Sequence, residues 1–205
     1  TFAPLVFASV IATVVTRGFF GIEPWYSVPP YEFTSVTQLP WFVVLGALCG
    51  GMGAFFQKCL KWSETWFKGL DLPIYLRLAL GGLIVGLIAL QYPGVCGNGY
   101  AMTNSILHEE FLDQTWPMLF VLLLLLAKLV ATSAAVGAGT VGGIMTPTLF
   151  VGAATGAAFG VALNRLNWVE EVPVGLFAAV GMGSLLAATT RSPLLAMIFL
   201  FEISL

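Results

Sequence analysis

From Leu129 to Asn164 the chain runs 36 residues without an Asp, Glu, Lys or Arg. As one helix rising about 1.5 Å per residue it would be about 54 Å long, against a bilayer hydrocarbon core of about 30 Å. The segment must break, and its residues show where. Val136-Gly137-Ala138-Gly139-Thr140-Val141-Gly142-Gly143 places four glycines in seven residues (137–143) ahead of Pro147. Glycine weakens a helix through backbone entropy, whereas proline is at home in the first turn. A new helix is therefore predicted to start near Gly143 or Ile144.

The rest of the chain is nearly as bare. Positions 33–57, 78–108 and 172–190 also lack Asp, Glu, Lys and Arg, and the charged fraction of the 205 residues is 9%, against about 25% in an ordinary soluble domain. With 59% hydrophobic residues and a mean hydropathy of +0.95, a soluble fold would expose more apolar surface than a monomer tolerates. The composition describes a multi-pass integral membrane protein. A net charge of −2 offers no basic field for a phosphate backbone, which excludes nucleic acid as a main partner. Cys49, Cys59 and Cys96 show neither CxxC nor metal-ligand spacing and are read as packing residues. Thr1 in place of Met, and an end inside the apolar Phe201-Glu202-Ile203-Ser204-Leu205, lead us to expect part of a longer polypeptide.

Spans are predicted at 3–20, 40–62, 73–92, 101–111 (short), 116–136, 144–163, 174–189 and from 193 to the end. Only helices and closed barrels cross a bilayer, and these runs lack the period-2 alternation of a barrel strand, so the fold class is all-α, with no strands. Small residues four apart, Gly46 with Gly50, Gly82 with Gly86, and Gly152 with Gly156 and Gly160, predict close helix packing. Lys58, Lys61, Lys68 and Arg77 gather between the second and third spans, which puts 58–77 on the cytoplasmic side. Alternation then places 21–40, 103–116 and 164–173 outside and returns 189–193 toward the cytoplasm. Arg17 and Arg165 fit this topology less well.

Catalytic chemistry has little to build on. His108 is the one histidine and lies beside Glu109, and no HExxH, GxSxG or paired-carboxylate pattern occurs, so the chain is not expected to be an enzyme or to carry a cofactor or metal. His108 is read as a solvated loop-edge residue. Lys128, within a leucine-rich run, is a functional candidate by its depth, and its plainer reading is a lysine that snorkels or pairs with a helix C-terminus. Arg191 and Glu202 raise the same choice.

The break carries more information. A helix that begins inside the membrane presents unpaired N–H groups and about half a positive charge to whatever lies in front of it. Gly142, Gly143, Ile144, Met145, Thr146 and Pro147 supply flexible backbone, bare amides at Ile144 and Met145, and no fixed charge. That combination suits a small anion that must bind and also leave. Gly97-Asn98-Gly99-Tyr100 is a second helix start of similar character.

Val141-Gly142-Gly143-Ile144-Met145-Thr146-Pro147 resembles the GGxFxP anion-site motif of the CLC family of chloride channels and chloride/proton antiporters. Two further stretches lie in the family's order: Gly181-Met182-Gly183 through Thr190-Arg191-Ser192-Pro193-Leu194 resembles GMGALLAA…RAPL, and Gly94-Val95-Cys96-Gly97-Asn98-Gly99-Tyr100 resembles the GxGxGY turn. The likeness covers essentially all 205 residues.

The resemblance implies tilted, broken and re-entrant helices in an inverted-repeat fold. Residues 1–205 would be one transmembrane fragment, with 1–20 a helix before the repeat and 40–205 the second repeat, incomplete at its C-terminus. It implies a homodimer with contacts along 3–20 and 193–205, and a bacterial inner (plasma) membrane location. Chloride would be the substrate, held by the amides of Ile144 and Met145, with other halides, and protons in an antiporter, as further partners beside the lipid bilayer. Met145 stands where the family usually has phenylalanine, so the amide is retained and the side chain is not. Glu23, in Gly21-Ile22-Glu23-Pro24, lacks the second glycine of the gating-glutamate motif and is not matched to it. A passive channel, a fluoride exporter and a non-transporting scaffold are the alternatives.

Overall fold

A computed structural model describes residues 2–21, 24–30, 36–166 and 172–204; Glu23 lies outside them. The α-helices are α1 (Phe2–Phe20), α2 (Leu39–Lys68), α3 (Ile74–Gln91), α4 (Tyr100–Leu107), α5 (Pro117–Ala138), α6 (Met145–Leu166), α7 (Val174–Thr190) and α8 (Pro193–Ser204), with short 3₁₀ turns at Val36–Gln38, Pro93–Val95 and Glu110–Asp113. Every expected span has its helix. Among the described residues, α1, α2, α3, α5 and α6 are long and apolar enough to cross a membrane, and α7 and α8 are shorter apolar helices.

Two ends differ from expectation. Helix α2 continues to Lys68 rather than stopping near 62, because its lysines are carried on helical turns and Lys68 pairs with Glu64 one turn back at 2.7 Å, a spacing that supports a helix end. Helix α4 stops at Leu107 rather than 111, because Glu109 turns left-handed at φ 62°.

The core is built on α6, whose membrane-length window is 78% buried. Its largest helix contact is with α7, and the small-residue ladder makes that contact possible. A Cβ on Gly152 would stand 2.6 Å from the Gly181 carbonyl oxygen, and one on Gly156 would overlap the Phe177 carbonyl. Phe177, Ala178, Met182, Leu185 and Leu186 fill the space around this seam.

The other two glycine pairs do not pack this way. Gly46, Gly50, Gly82 and Gly86 have no neighbour within 4 Å of a would-be Cβ among the described residues. Close approach falls to glycines a few positions away: Gly53 against Ala188 at 3.1 Å, Gly81 against Ala138 at 2.5 Å, and Gly137 against Ser63 and Phe67. Helix rotation, which spacing alone does not fix, decides which face meets a neighbour.

Loop contacts sort the chain into two ends. Asn104 Nδ2 donates to the Trp25 carbonyl and its Oδ1 accepts from Ser27 N, both at 3.2 Å, while Asn164 bonds both backbone groups of Val172. Glu109 Oε1 accepts from Gly175 N at 2.7 Å. Trp25 and Ser27 after α1, Glu109 after α4, and Val172 before α7 therefore gather at one end. At the other, Gln57 Nε2 donates to the Thr189 carbonyl at 2.8 Å, joining the lysine-bearing part of α2 to the end of α7. This grouping is the one that alternation of the spans predicts. Helix α1 stands apart, with Leu5, Phe7, Ile11 and Phe19 all more than half exposed; Arg17 reaches Glu202 of α8 at 3.6 Å and Tyr26 N donates to the Ile203 carbonyl. Arg17, out of place in the sequence topology, thus has an acidic partner.

Candidate anion site

The chain breaks between α5 and α6 as the glycines and Pro147 predict, with one shift: Gly137 remains helical and seats α2 against α5. The stop is made by Gly139, whose φ of 97° lets its amide and that of Thr140 return to the Val136 and Ala135 carbonyls, a left-handed cap that glycine adopts without strain. Residues 140–144 are non-helical, and α6 begins at Met145.

The first turn of α6 is set by Thr148, which is buried. Its amide and its hydroxyl both donate to the Ile144 carbonyl, at 3.0 and 2.7 Å. Pro147 has no N–H, so the orphan amides of this start are those of Ile144, Met145 and Thr146. No hydrogen bond among the described residues takes them up. They are what a helix start offers an anion, together with its dipole.

A cavity of about 210 Å³ opens at the break, lined by Gly142, Gly143 and Pro147 together with Val85, Gly97 and Lys128. Val85 lies in the interior of α3 and Lys128 near the middle of α5, so the cavity sits at the depth of two membrane-length helices rather than at a loop surface. Ile144 and Met145, 40% and 38% exposed, and the half-buried Thr146 lie between Gly143 and Pro147 in the chain but are not themselves among the residues that line the cavity. Val141, just before these glycines, is fully exposed among the described residues.

The second predicted helix start converges on the same place. Gly97 and Gly99 are left-handed, at φ 58° and 78°, and Gly99 caps α4 by accepting both the amide and the hydroxyl of Thr103. A Cβ at Gly99 would lie 2.8 Å from the Phe150 ring of α6 and 3.3 Å from Lys128 Nζ. Lys128, 2% exposed, does not snorkel: its ammonium donates to the carbonyl of Val95, the last residue of the 3₁₀ turn Pro93–Val95, and to that of Gly97, both at 2.8 Å, and lies 5.2 Å from the Phe150 ring centroid. The turn carbonyls that bind it lie 31 and 33 residues upstream, beyond what spacing along a helix reveals.

His108 is exposed at the end of α4, as a loop-edge residue should be. Glu109, unremarked as a single loop charge, caps α7. Arg191 ends α7 in a left-handed conformation and is exposed.

Several apolar helices of membrane-crossing length, broken between α5 and α6, make this the fold of a polytopic membrane protein. The family model described as voltage gated chloride channel matches residues 1–205, and the chain belongs to that family. It is 41% identical over 206 residues to a ClcB-like protein of Ralstonia nicotianae, covering 100% of this chain and 47% of that protein. It is 35% identical to chloride channel protein CLC-f of Arabidopsis thaliana, covering 100% of this chain and 27% of that one. Among solved structures, a slow cyanobacterial Cl⁻/H⁺ antiporter superposes with a TM-score of 0.71 at 23% identity, over 98% of this chain and 46% of that one, a likeness of fold. The chain thus spans about half the length, or less, of these relatives.

Proposed function

We propose that this chain forms part of a chloride pathway through a membrane, in which the anion is held by the amides of Ile144, Met145 and Thr146 at the start of α6, beside the backbone of Gly142 and Gly143. The carrying observation is that start itself: three amides without acceptors among the described residues, next to a cavity at mid-helix depth. Amides hold a halide without the tight pairing that a guanidinium would impose, so binding and release are both accessible. The names of the relatives, chloride channel among them, support chloride as the ion, with other halides as lesser substrates.

The complete protein, in this reading, is a homodimer of the plasma membrane with contacts along α1 and α8. The exposed apolar side chains of α1 support a covered rather than a free helix. It performs no chemical conversion and uses no cofactor. Exchange against protons is the favoured mode, supported by the antiporter neighbour in fold; passive conduction is the second.

Chloride efflux from liposomes holding the complete protein, with external pH recorded, tests all of this. Efflux with opposing proton movement is expected. Efflux without proton movement makes it a channel, and no halide flux reduces the 142–147 segment to a structural helix break.

A further inference from the structure

The anion motif itself contains no fixed charge, yet one lies on the wall of the same cavity. We propose that Lys128 is the fixed positive charge that draws the anion into the cavity at the α6 start and raises its affinity there. The inference rests on the anion-pathway reading of that site.

The case begins with charge balance. Lys128 is 2% exposed in the middle of α5 and surrounded by the cluster of Val95, Leu124, Ala131 and Phe150. A buried ammonium without a counter-charge is strongly penalised. The ion pairs among the described residues are Arg17 with Glu202 and Lys68 with Glu64; neither involves Lys128. The Val95 and Gly97 carbonyls at 2.8 Å and the Phe150 ring at 5.2 Å solvate the ammonium but leave its unit charge uncompensated. Of its three N–H groups, two are spent on those carbonyls and the third has no hydrogen-bond acceptor among the described residues.

Geometry then selects what answers that charge. Lys128 and the glycines of the break line one cavity of about 210 Å³, room for several water-sized molecules at about 30 Å³ each. The positive end of the α6 dipole and the ammonium therefore act on the same space. Their fields add for an anion and oppose a cation. Because the carbonyls of the turn before α4 hold the ammonium in place, the anion is attracted without being locked in a contact pair. A unit charge within about 12 Å, at an effective dielectric of about 20, changes an anion's affinity on the order of tenfold.

The test separates charge from hydrogen bonding. Bromide is titrated calorimetrically into the complete detergent-solubilised protein, into Lys128→Arg and into Lys128→Gln, with helical content followed by circular dichroism. Glutamine can still donate to the two turn carbonyls but is neutral; arginine keeps the charge. The expected result is a loss of bromide affinity of about tenfold or more in Lys128→Gln at unchanged helicity, with Lys128→Arg within about threefold of the parent. If Lys128→Gln binds like the parent, Lys128 is only a hydrogen-bonded staple and the proposal is overturned. If both variants lose binding together with helicity, its role is structural and the proposal is equally overturned. A parent that binds no bromide would instead remove the anion-site reading first, and this inference with it.

Discussion

Glu109 Oε1 accepts the backbone amide of Gly175 at 2.7 Å, so a carboxylate 66 residues upstream closes the first turn of α7. The left-handed turn at Glu109 (φ 62°) aims the side chain there, and negative charge at a helix start is favourable. Glu109→Ala is expected to cost about 1 kcal/mol. Glu109→Gln, which keeps an oxygen acceptor, should cost less. Thermal unfolding in detergent measures both, and an alanine variant that melts with the parent would show the cap to be idle.

The α6–α7 seam predicts a graded series. A methyl on Gly156 would overlap the Phe177 carbonyl, one on Gly152 would stand 2.6 Å from the Gly181 carbonyl oxygen, and one on Gly160 would stand 3.2 Å from Val174 Cα. Backbone cannot step aside as a side chain can. Gly156→Ala and Gly152→Ala should each destabilise by about 1–3 kcal/mol, in the range for overpacking, and Gly160→Ala by less. Equal melting temperatures across the three would contradict so close an approach of the two helices.

Local signals made most of this architecture legible. Apolar run length sets the helices, and glycine with proline sets the α5–α6 break, because both act within a few residues. What depends on helix rotation was not legible: Gly81 and Gly53 make close contacts while Gly82, Gly86, Gly46 and Gly50 make none among the described residues. The same holds at the candidate site. Ile144 through Pro147 can be read from residue types, whereas the partners of Lys128 and Glu109 are set by folding distant turns together.

Tyr26 predicts a pH effect. It is 2% exposed, rests edge-on against Tyr100 at 5.1 Å, and its hydroxyl has no partner among the described residues. Burial, reinforced by Tyr100, pushes the phenol above the usual tyrosine range. Its contribution is therefore intact below about pH 10, where an unfolded tyrosine begins to ionise, and is lost as pH rises beyond it. Tyr26→Phe should leave neutral-pH stability unchanged or raise it by up to about 1 kcal/mol, since no hydrogen bond is lost, and should flatten the decline above pH 10. Unfolding curves at neutral and alkaline pH check this; a large loss at neutral pH would mean that the hydroxyl has a partner.

The break at α6 yields the sharpest contrast between two neighbouring positions. Gly143 has no atom within 4 Å of a would-be Cβ among the described residues, and it lines the cavity. Valine there would meet no backbone; it would occupy the space an anion needs. Gly143→Val is therefore expected to lower bromide affinity by about tenfold, equivalent to about 1.4 kcal/mol, with little change in melting temperature. Met145, by contrast, contributes an amide while its side chain is 38% exposed, so Met145→Phe should stay within about threefold of the parent. Calorimetric titration of both variants decides the matter. A Gly143→Val protein that binds bromide as tightly as the parent would show that the anion does not rest against this backbone.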